Sequence, residues 1–208
     1  MFIVKIHKSV LLTYLGVIFA SLAAYFAFTK MAFSEISYLR FSLIFLMLSG
    51  ICDMFDGKIA RMCKRTKEEK EFGIQIDSLA DTFNFIAIPV IIMFSLGLSS
   101  VIDLIIYTLF ILCGISRLGF FNVHASLDNP VKYYSGLPVT STAIIYPVIG
   151  LLHGHIAEGT FGMIYIIITL ITALLFVIKI KVPKFKGIAY VIIPLIAALL
   201  TVLLLVIK

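Results

Sequence analysis

The sequence has 208 residues, of which 62% are hydrophobic and only 13% are charged, and its mean hydropathy is +1.14. Because this composition excludes a water-soluble globule, it predicts an all-α, polytopic transmembrane helical bundle that forms a single domain over residues 1–208. The net charge of +6 comes from basic residues near the ends of apolar segments, where they orient membrane proteins, and does not indicate a nucleic-acid partner.

The first predicted span is the apolar run of residues 10–29, which follows a short basic start and is long enough to cross a bilayer. A secretory signal peptide has the same layout, but no soluble domain follows for such a signal to deliver. The cysteines, Cys52, Cys63 and Cys113, are odd in number and lie in or beside apolar segments. They therefore predict neither a disulfide framework nor a metal site.

The second and third predicted spans, residues 37–62 and 73–98, carry four aspartates at their adjoining ends. The motif reads D-x-x-D-G-x-x-A-R over residues 53–61 and, after eleven residues, G-x-x-x-D-x-x-x-D over residues 73–81. A helical rotation of about 100° per residue places the first set within an arc of roughly 140° and the second within roughly 80°. Two helices joined by a short basic turn therefore direct four carboxylates to one place: Asp53, Asp56, Asp77 and Asp81.

Four ionised carboxylates in an apolar setting need a compensating charge, since each one costs about 2.5–3.5 kcal/mol at the centre of a membrane helix. Hard divalent cations that prefer oxygen ligands, Mg²⁺ or Mn²⁺, meet this need. On the same helix faces, Arg61 offers donors suited to phosphate. Small residues leave room there for a bulky ligand, namely Gly57, Ala60 and Gly73. The pattern predicts metal-assisted displacement at phosphorus.

Further apolar segments follow and bring the count to seven, within an expected range of six to eight spans: residues 100–121, 139–152, 161–180 and 188–207. The segment 139–152 is short and contains Pro147, as segments beside a binding cavity often do. Arg117 lies near the end of the fourth span, where it can either snorkel to the headgroups or contact a phosphate or an acceptor carboxylate. Asn84 shares the face of the third-span aspartates, where it can line the cavity or bond a neighbouring helix.

The distribution of basic residues predicts the orientation in the membrane. An N-terminus inside the cell leaves only three of the 17 Lys and Arg residues on the far side, namely Lys30, Arg40 and Lys208. The positive-inside rule favours this arrangement. We therefore expect a multi-pass protein of the cell membrane whose aspartates open toward the cytoplasm.

The motif of residues 53–81 resembles the signature of the CDP-alcohol phosphatidyltransferases, membrane enzymes that pass a phosphatidyl group from a CDP-linked lipid to an alcohol. One feature departs from that signature, because the eleven residues between Arg61 and Gly73 form a longer spacer than is usual in the family. We expect the longer spacer to extend the turn without moving the aspartates off their faces.

The resemblance implies a role for each motif residue. Asp53, Asp56 and Asp77 would coordinate one or two divalent cations. Asp81 would complete the second site and act as the general base on the acceptor hydroxyl. The residues implied to bind the cytidine diphosphate are Asp56, Gly57, Ala60, Arg61 and Gly73. The family also implies that the protein forms a homodimer and contacts membrane lipids.

Further segments are similar to the phosphatidylserine synthase branch of the family: residues 72–81, 117–123, 133–141 and 181–186. They imply a CDP-diacylglycerol–serine O-phosphatidyltransferase that uses L-serine and releases CMP. Phe120 stands where many members have a second arginine, and residues 86–89 replace a usual Gly-Val-Ala-Pro run. Glycerol 3-phosphate or inositol phosphate therefore stay open as acceptors. A cation or metabolite transporter is a further alternative, since transporters also gather intramembrane acids.

Overall fold

The computed structural model describes residues 7–125, 133–183 and 187–206, and helices make up most of these ranges. The α-helices are α1 Leu11–Phe33, α2 Ile36–Met62, α3 Lys67–Asp81, α4 Ile88–Ser95, α5 Val101–Ala125, α6 Thr142–Gly150, α7 Glu158–Val177 and α8 Ala189–Val206. Short 3₁₀ helices, Lys8–Val10 and Val139–Ser141, precede α1 and α6. A π-helical segment, Thr82–Ala87, joins α3 to α4 in one continuous rod.

Six of these helices or rods are long and apolar enough to cross a membrane, and the shorter apolar helix Val139–Gly150 adds a further segment between α5 and α7. Large apolar side chains are exposed along the outer faces, among them Leu104, Ile167 and Leu199. An apolar surface of this extent suits hydrocarbon and not water. The predicted all-α polytopic bundle is confirmed.

Small residues bring α1 and α2 into close contact. Ala20, Ala23 and Ala27 are fully buried along one face of α1, and Ser42 Oγ on α2 donates a 2.7 Å hydrogen bond to the Ala23 carbonyl oxygen. Close backbone approach through small residues is a common way to pack helices in a membrane, where no hydrophobic force drives them together. This pair fixes the start of α2, the helix that carries the first two motif aspartates.

Buried tyrosines join α6 to α7 in the core. The Tyr146 hydroxyl lies 3.1 Å from Thr169 Oγ1, and the Tyr165 hydroxyl donates a 3.0 Å hydrogen bond to the Tyr146 carbonyl oxygen. Both rings are completely buried and stack with their centroids 5.5 Å apart. Because their hydroxyls are satisfied, these rings can contribute their full apolar area to the core.

The π-helical segment has a local cause in Pro89. Proline has no backbone N–H, so the Phe85 carbonyl oxygen lacks its usual donor four residues later. Thr142 Oγ1 of α6 lies 3.1 Å from that oxygen and 2.9 Å from the Val139 carbonyl oxygen, so the two acceptors share its one proton. The Ile88 N–H reaches back to the Phe83 carbonyl, five residues earlier. The helix thus accommodates one wider turn directly after Asp81.

Candidate active site

The turn between α2 and α3 brings the two halves of the motif together. α2 ends at Met62, and a capping box begins α3: Glu69 N donates to Thr66 Oγ1 at 3.2 Å, while Thr66 N donates to Glu69 Oε2 at 2.8 Å. This reciprocal pair satisfies two of the backbone N–H groups that every helix start leaves open. The chain therefore reverses sharply, and the aspartates of both helices face each other.

Carboxylates from both helices converge as the spacing predicted. Ligand oxygens of Asp53, Asp56 and Asp77 all lie within 4.8 Å of one another, and the carboxyl group of Asp81 lies beside that of Asp53. Asp56 is only 5% exposed, and the other three are half-buried. Four acidic groups so close together repel strongly unless a cation or a proton lies among them.

A residue of α1 also contacts the aspartate cluster. Thr13 Oγ1 donates a 2.7 Å hydrogen bond to Asp56 Oδ2, in a buried position 43 residues away along the chain. A hydrogen bond to a metal-binding carboxylate fixes its orientation and leaves its other oxygen available. The sequence motif contains no member of α1, so this contact could not be found from the motif alone.

The donor set fits a hard divalent cation. Carboxylate oxygens are the ligands that Mg²⁺ and Mn²⁺ prefer, and oxygens on one Mg²⁺ at about 2.1 Å each lie roughly 3 Å apart when adjacent. Small side-chain rotations would bring the three oxygens from their present separations of up to 4.8 Å to that spacing. Across residues 7–125, 133–183 and 187–206, no other group of three or more acidic, histidine or cysteine side chains brings its ligand atoms this close together.

A cavity of about 600 Å³ adjoins the carboxylates. Its polar end is formed by the four aspartates together with Gly57, Arg61 and Arg117. The rest of its lining is mainly apolar and comes largely from α2, α6 and α8, and includes Met47, Ile51, Ile144, Ile145, Ile193 and Ala197. Such a cavity is amphipathic and is large enough for part of a lipid together with its phosphate.

A short β-ribbon lies at the polar end of this cavity. β1, Tyr133–Ser135, pairs antiparallel with β2, Lys181–Pro183, and beyond it the Gly136 N–H bonds the Ile180 carbonyl oxygen at 2.8 Å. Gly136 has a φ of +84°, and a Cβ there would lie 2.6 Å from the Phe176 carbonyl oxygen, so only glycine fits. The ribbon places Leu137 and Val182 against the cavity.

Arg117 connects this ribbon to α5. It is only 6% exposed, and its Nε donates a 3.2 Å hydrogen bond to the Leu137 carbonyl oxygen. Its guanidinium also lies 5.8 Å from the centre of the Phe121 ring. Because Arg117 lines the cavity as well, it is not a snorkelling residue at the headgroups. It is a buried cation in the lining of the cavity that the aspartates also line.

The remaining predicted site residues lie outside the cavity wall. Ala60 and Gly73 are half-buried on the motif faces nearer the turn, beyond the residues that line the cavity. Asn84 is 3% exposed and faces Gly16 on α1, with its Nδ2 3.6 Å from the position of a Cβ on that glycine. Its Oδ1 is buried without a hydrogen-bond partner among the described residues. The wider π turn after Asp81 directs Asn84 toward α1.

Comparison with known families identifies this arrangement. The family model for CDP-alcohol phosphatidyltransferase matches residues 7–178, which include α1 to α7 and the complete aspartate motif. The chain belongs to the CDP-alcohol phosphatidyltransferase family. Within that family, the shared region covers the Thr13 contact and Arg117 as well as the motif itself.

Curated members of the family resemble this chain over part of their length. A CDP-diacylglycerol–serine O-phosphatidyltransferase of Saccharomyces cerevisiae is 35% identical over an alignment of 127 positions that covers 53% of this chain and 45% of that protein. One of Helicobacter pylori is 30% identical over 147 residues, or 69% of this chain and 60% of that protein. An archaetidylserine synthase of Methanothermobacter thermautotrophicus is 34% identical over 102 residues, or 49% and 42%. The chain thus spans about half the length of these relatives.

Proposed function

We propose that this chain transfers a phosphatidyl group from CDP-diacylglycerol to the hydroxyl of L-serine and releases CMP. The observation that carries the proposal is the convergence of Asp53, Asp56 and Asp77 within 4.8 Å at one end of an amphipathic cavity of about 600 Å³. The family and the names of the relatives support the same reaction class. A cation or metabolite transporter has no comparable support.

The donor lipid would bind with its diphosphate at the aspartates and its acyl chains along the apolar walls. Asp53, Asp56 and Asp77 would hold one or two Mg²⁺ or Mn²⁺ ions, with Asp81 completing the second site. Bound cations neutralise the diphosphate and make its phosphorus a better electrophile. The residues proposed to contact the cytidine diphosphate are Asp56, Gly57, Ala60, Arg61 and Gly73.

Asp81 is proposed as the general base. Its carboxyl group takes the proton of the serine hydroxyl as the serine oxygen bonds to the lipid-side phosphorus and the bond from that phosphorus to the CMP oxygen breaks. Asp81 is half-buried and contacts Asp53, so it lies beside the proposed metal ligands. Arg117 is proposed to bind the serine carboxylate or a phosphate, since an arginine fork matches both groups. Asn84 points toward α1 and is not part of this proposal.

The test is an acceptor screen by CMP release. Purified protein supplied with CDP-diacylglycerol, Mn²⁺ and L-serine is expected to release CMP, and Asp81→Asn is expected to stop it. Release with glycerol 3-phosphate or inositol phosphate, but not with serine, would assign a sister activity. The name of the archaetidylserine synthase relative supports serine as acceptor. A CDP-lipid with ether-linked chains is a second donor to test. No release with any of these alcohols would refute the proposal.

We further propose that the aspartates face the cytoplasm, because this orientation leaves only three of the 17 Lys and Arg residues outside. Cys63 lies in the α2–α3 turn and is half-buried, whereas Cys52 and Cys113 are buried. A membrane-impermeant maleimide should therefore label Cys63 in inverted vesicles but not in intact cells. In a Cys63→Ser background, Ser34→Cys at the opposite end of the bundle should show the reverse pattern.

A homodimer is proposed from the family resemblance alone. The exposed apolar faces of the helices are compatible with either lipid or a second copy. Light scattering of the protein in detergent, with the detergent mass subtracted, should give twice the 23.1 kDa of one chain. A mass of one chain at micromolar concentration would contradict this.

A further inference from the structure

The turn between α2 and α3 carries an arginine, Arg65, that the family motif does not include. We propose that Arg65 binds the nucleotide part of the CDP-lipid and so helps to determine donor specificity. This inference rests on the function proposed above and extends it to a residue outside the motif. Arg65 belongs to the eleven-residue spacer between Arg61 and Gly73, and it contacts Gly73, one of the residues proposed to bind the cytidine diphosphate.

The first observation is the contact between Arg65 and Gly73. Arg65 Nη1 lies 3.2 Å from the position that a Cβ on Gly73 would occupy, so the guanidinium rests on the bare backbone of that glycine. Gly73 precedes Asp77 by four residues, which is about one helical turn, and therefore shares its face. The Arg65 side chain is thus directed over the aspartate face of α3.

The second observation is that part of the Arg65 guanidinium lacks a partner in the described part of the chain, although its charge acts on the Glu69 carboxylate. Its Nε is buried and makes no hydrogen bond. The salt bridge found among these residues joins Lys67 to Glu71, and the nearby Glu69 carboxylate is engaged by the Thr66 N–H. A guanidinium offers five N–H donors in a fixed fork, and leaving the buried Nε–H without an acceptor is unfavourable.

The ligand chemistry follows from this geometry. A planar fork of donors matches phosphate oxygens or the carbonyl edge of a pyrimidine, and both belong to a cytidine nucleotide. Lipid headgroups offer phosphate too, but they would be met from the outside of the bundle. The exposed Lys64 and Lys67 on the same turn suit that surface, whereas Arg65 is directed inward to Gly73. The observations therefore favour the nucleotide.

The experiment measures nucleotide binding to the full-length protein in a non-ionic detergent without anionic lipid. With Mn²⁺ present, Arg65→Gln is expected to raise the Kd for CDP by about tenfold to a hundredfold, as expected for loss of a charged hydrogen bond. Arg65→Lys is expected to restore part of the affinity, because it keeps the charge but loses the fork. Lys64→Gln, which removes an exposed charge from the same turn, is the matched control and is expected to bind CDP like the wild type.

Two further results separate the contact from a general effect on folding. Gly73→Ala is expected to raise the Kd for CDP in the wild type but to add little to Arg65→Gln, because both changes act on one contact. A thermal unfolding profile of Arg65→Gln that matches the wild type would exclude loss of structure.

Equal CDP affinity of the wild type and Arg65→Gln would overturn the inference while leaving the proposed function intact. So would an effect of Arg65→Gln confined to binding of vesicles that contain anionic phospholipid, since it would assign Arg65 to lipid headgroups. If the wild type binds neither CDP nor CMP in the presence of Mn²⁺, the proposed function fails and the inference fails with it.

Discussion

Thr13 on α1 donates a 2.7 Å hydrogen bond to the buried Asp56 carboxylate on α2. Thr13→Val removes this donor while keeping the shape of the side chain. We expect Mn²⁺ affinity and CMP release to fall by about tenfold to a hundredfold, because partners that orient a metal-binding carboxylate have effects of that size. The measurement is a Mn²⁺ titration of CMP release, supported by direct Mn²⁺ binding.

Two variants control for this change. Thr13→Ser keeps a hydroxyl and is expected to retain most of the Mn²⁺ affinity. Thr29→Val alters a threonine on the same helix whose hydroxyl bonds only the Tyr25 carbonyl oxygen one turn earlier, and it should leave Mn²⁺ affinity unchanged. If Thr13→Val behaves like Thr29→Val, the α1 contact has no part in metal binding.

Neutralising the motif aspartates one at a time distinguishes the proposed metal ligands from the proposed general base. Asp53→Asn, Asp56→Asn and Asp77→Asn are expected to weaken Mn²⁺ binding and to reduce CMP release by about a hundredfold or more. Asp81→Asn is expected to abolish CMP release while retaining Mn²⁺ and CDP binding at the remaining three carboxylates. The readouts are CMP release and Mn²⁺ binding for each variant.

Asp103→Asn is the matched control for the aspartate series. Asp103 caps the start of α5, where its Oδ2 accepts the Ser100 N–H at 2.9 Å. It lies fourteen residues from Arg117 on the same helix, about 21 Å along the axis. We expect normal CMP release from this variant, and a large loss would mean that charge at any position affects the reaction.

Gly136→Ala tests the β-ribbon. The substitution would force a side chain into a φ of +84° and to within 2.6 Å of the Phe176 carbonyl oxygen, at a cost of at least about 1 kcal/mol. Because the ribbon positions Leu137 at the cavity, we expect CMP release to fall by about tenfold and the unfolding temperature to drop. Gly159→Ala, on an exposed turn of α7 with no atom within 4 Å of the new Cβ, should change neither.

His153 makes the stability of the bundle depend on pH. It lies in the turn after α6, with its ring edge-on to Phe161 at 4.6 Å between centroids and its Nδ1 buried without a partner in the described ranges. Burial, and then the charge of Lys30, lower the pKa of His153 below its usual value of 6.5. The unfolded chain therefore binds this proton more readily than the folded chain.

The sign of the effect follows from this difference. The stability contributed by neutral His153 is fully present above pH 6.5 and is lost as the pH falls toward the lower folded pKa. We expect the unfolding temperature in detergent to be lower at pH near 5 than at pH near 7.5. His153→Phe should flatten that dependence, whereas the exposed His155→Gln should preserve it. A profile that is unchanged by His153→Phe would exclude this residue as the cause.

Helix positions and the aspartate cluster could be predicted because both depend on local periodicity. A run of apolar residues of sufficient length fixes a span, and the spacing of Asp53, Asp56, Asp77 and Asp81 fixes their faces. The start of α3 was harder to predict from the sequence, because its first turn is polar and charged. The helix begins at Lys67, six residues before the apolar run at Gly73, since the Thr66 capping box stabilises a solvated turn.

The direction of the Asn84 side chain could not be predicted from helical periodicity. An ideal helix places it on the face of Asp77 and Asp81, but the π segment Thr82–Ala87 adds a wider turn directly after Asp81. That segment depends on Pro89 and on a hydroxyl of another helix, Thr142. The local sequence shows the proline but not the distant donor.

Contacts between distant parts of the chain likewise could not be predicted from the sequence pattern. The β1–β2 ribbon pairs segments from two different connectors, and neither three-residue strand has a recognisable alternation of its own. The bond from Thr13 to Asp56 spans 43 residues, and the sequence presents Thr13 as one more polar residue in an apolar helix. Both contacts arise only when the helices are packed.

The cavity is polar at the aspartates and mainly apolar elsewhere, and this difference affects how a bound lipid would lie in the membrane. A phospholipid whose phosphate sits among the aspartates can keep both hydrocarbon tails at the depth they occupy in the surrounding bilayer. Headgroup exchange then needs no extraction of the molecule into water, a step opposed by about 0.8 kcal/mol for every methylene group exposed. In the proposed reaction, the lipid product would likewise return to the bilayer without passing through water.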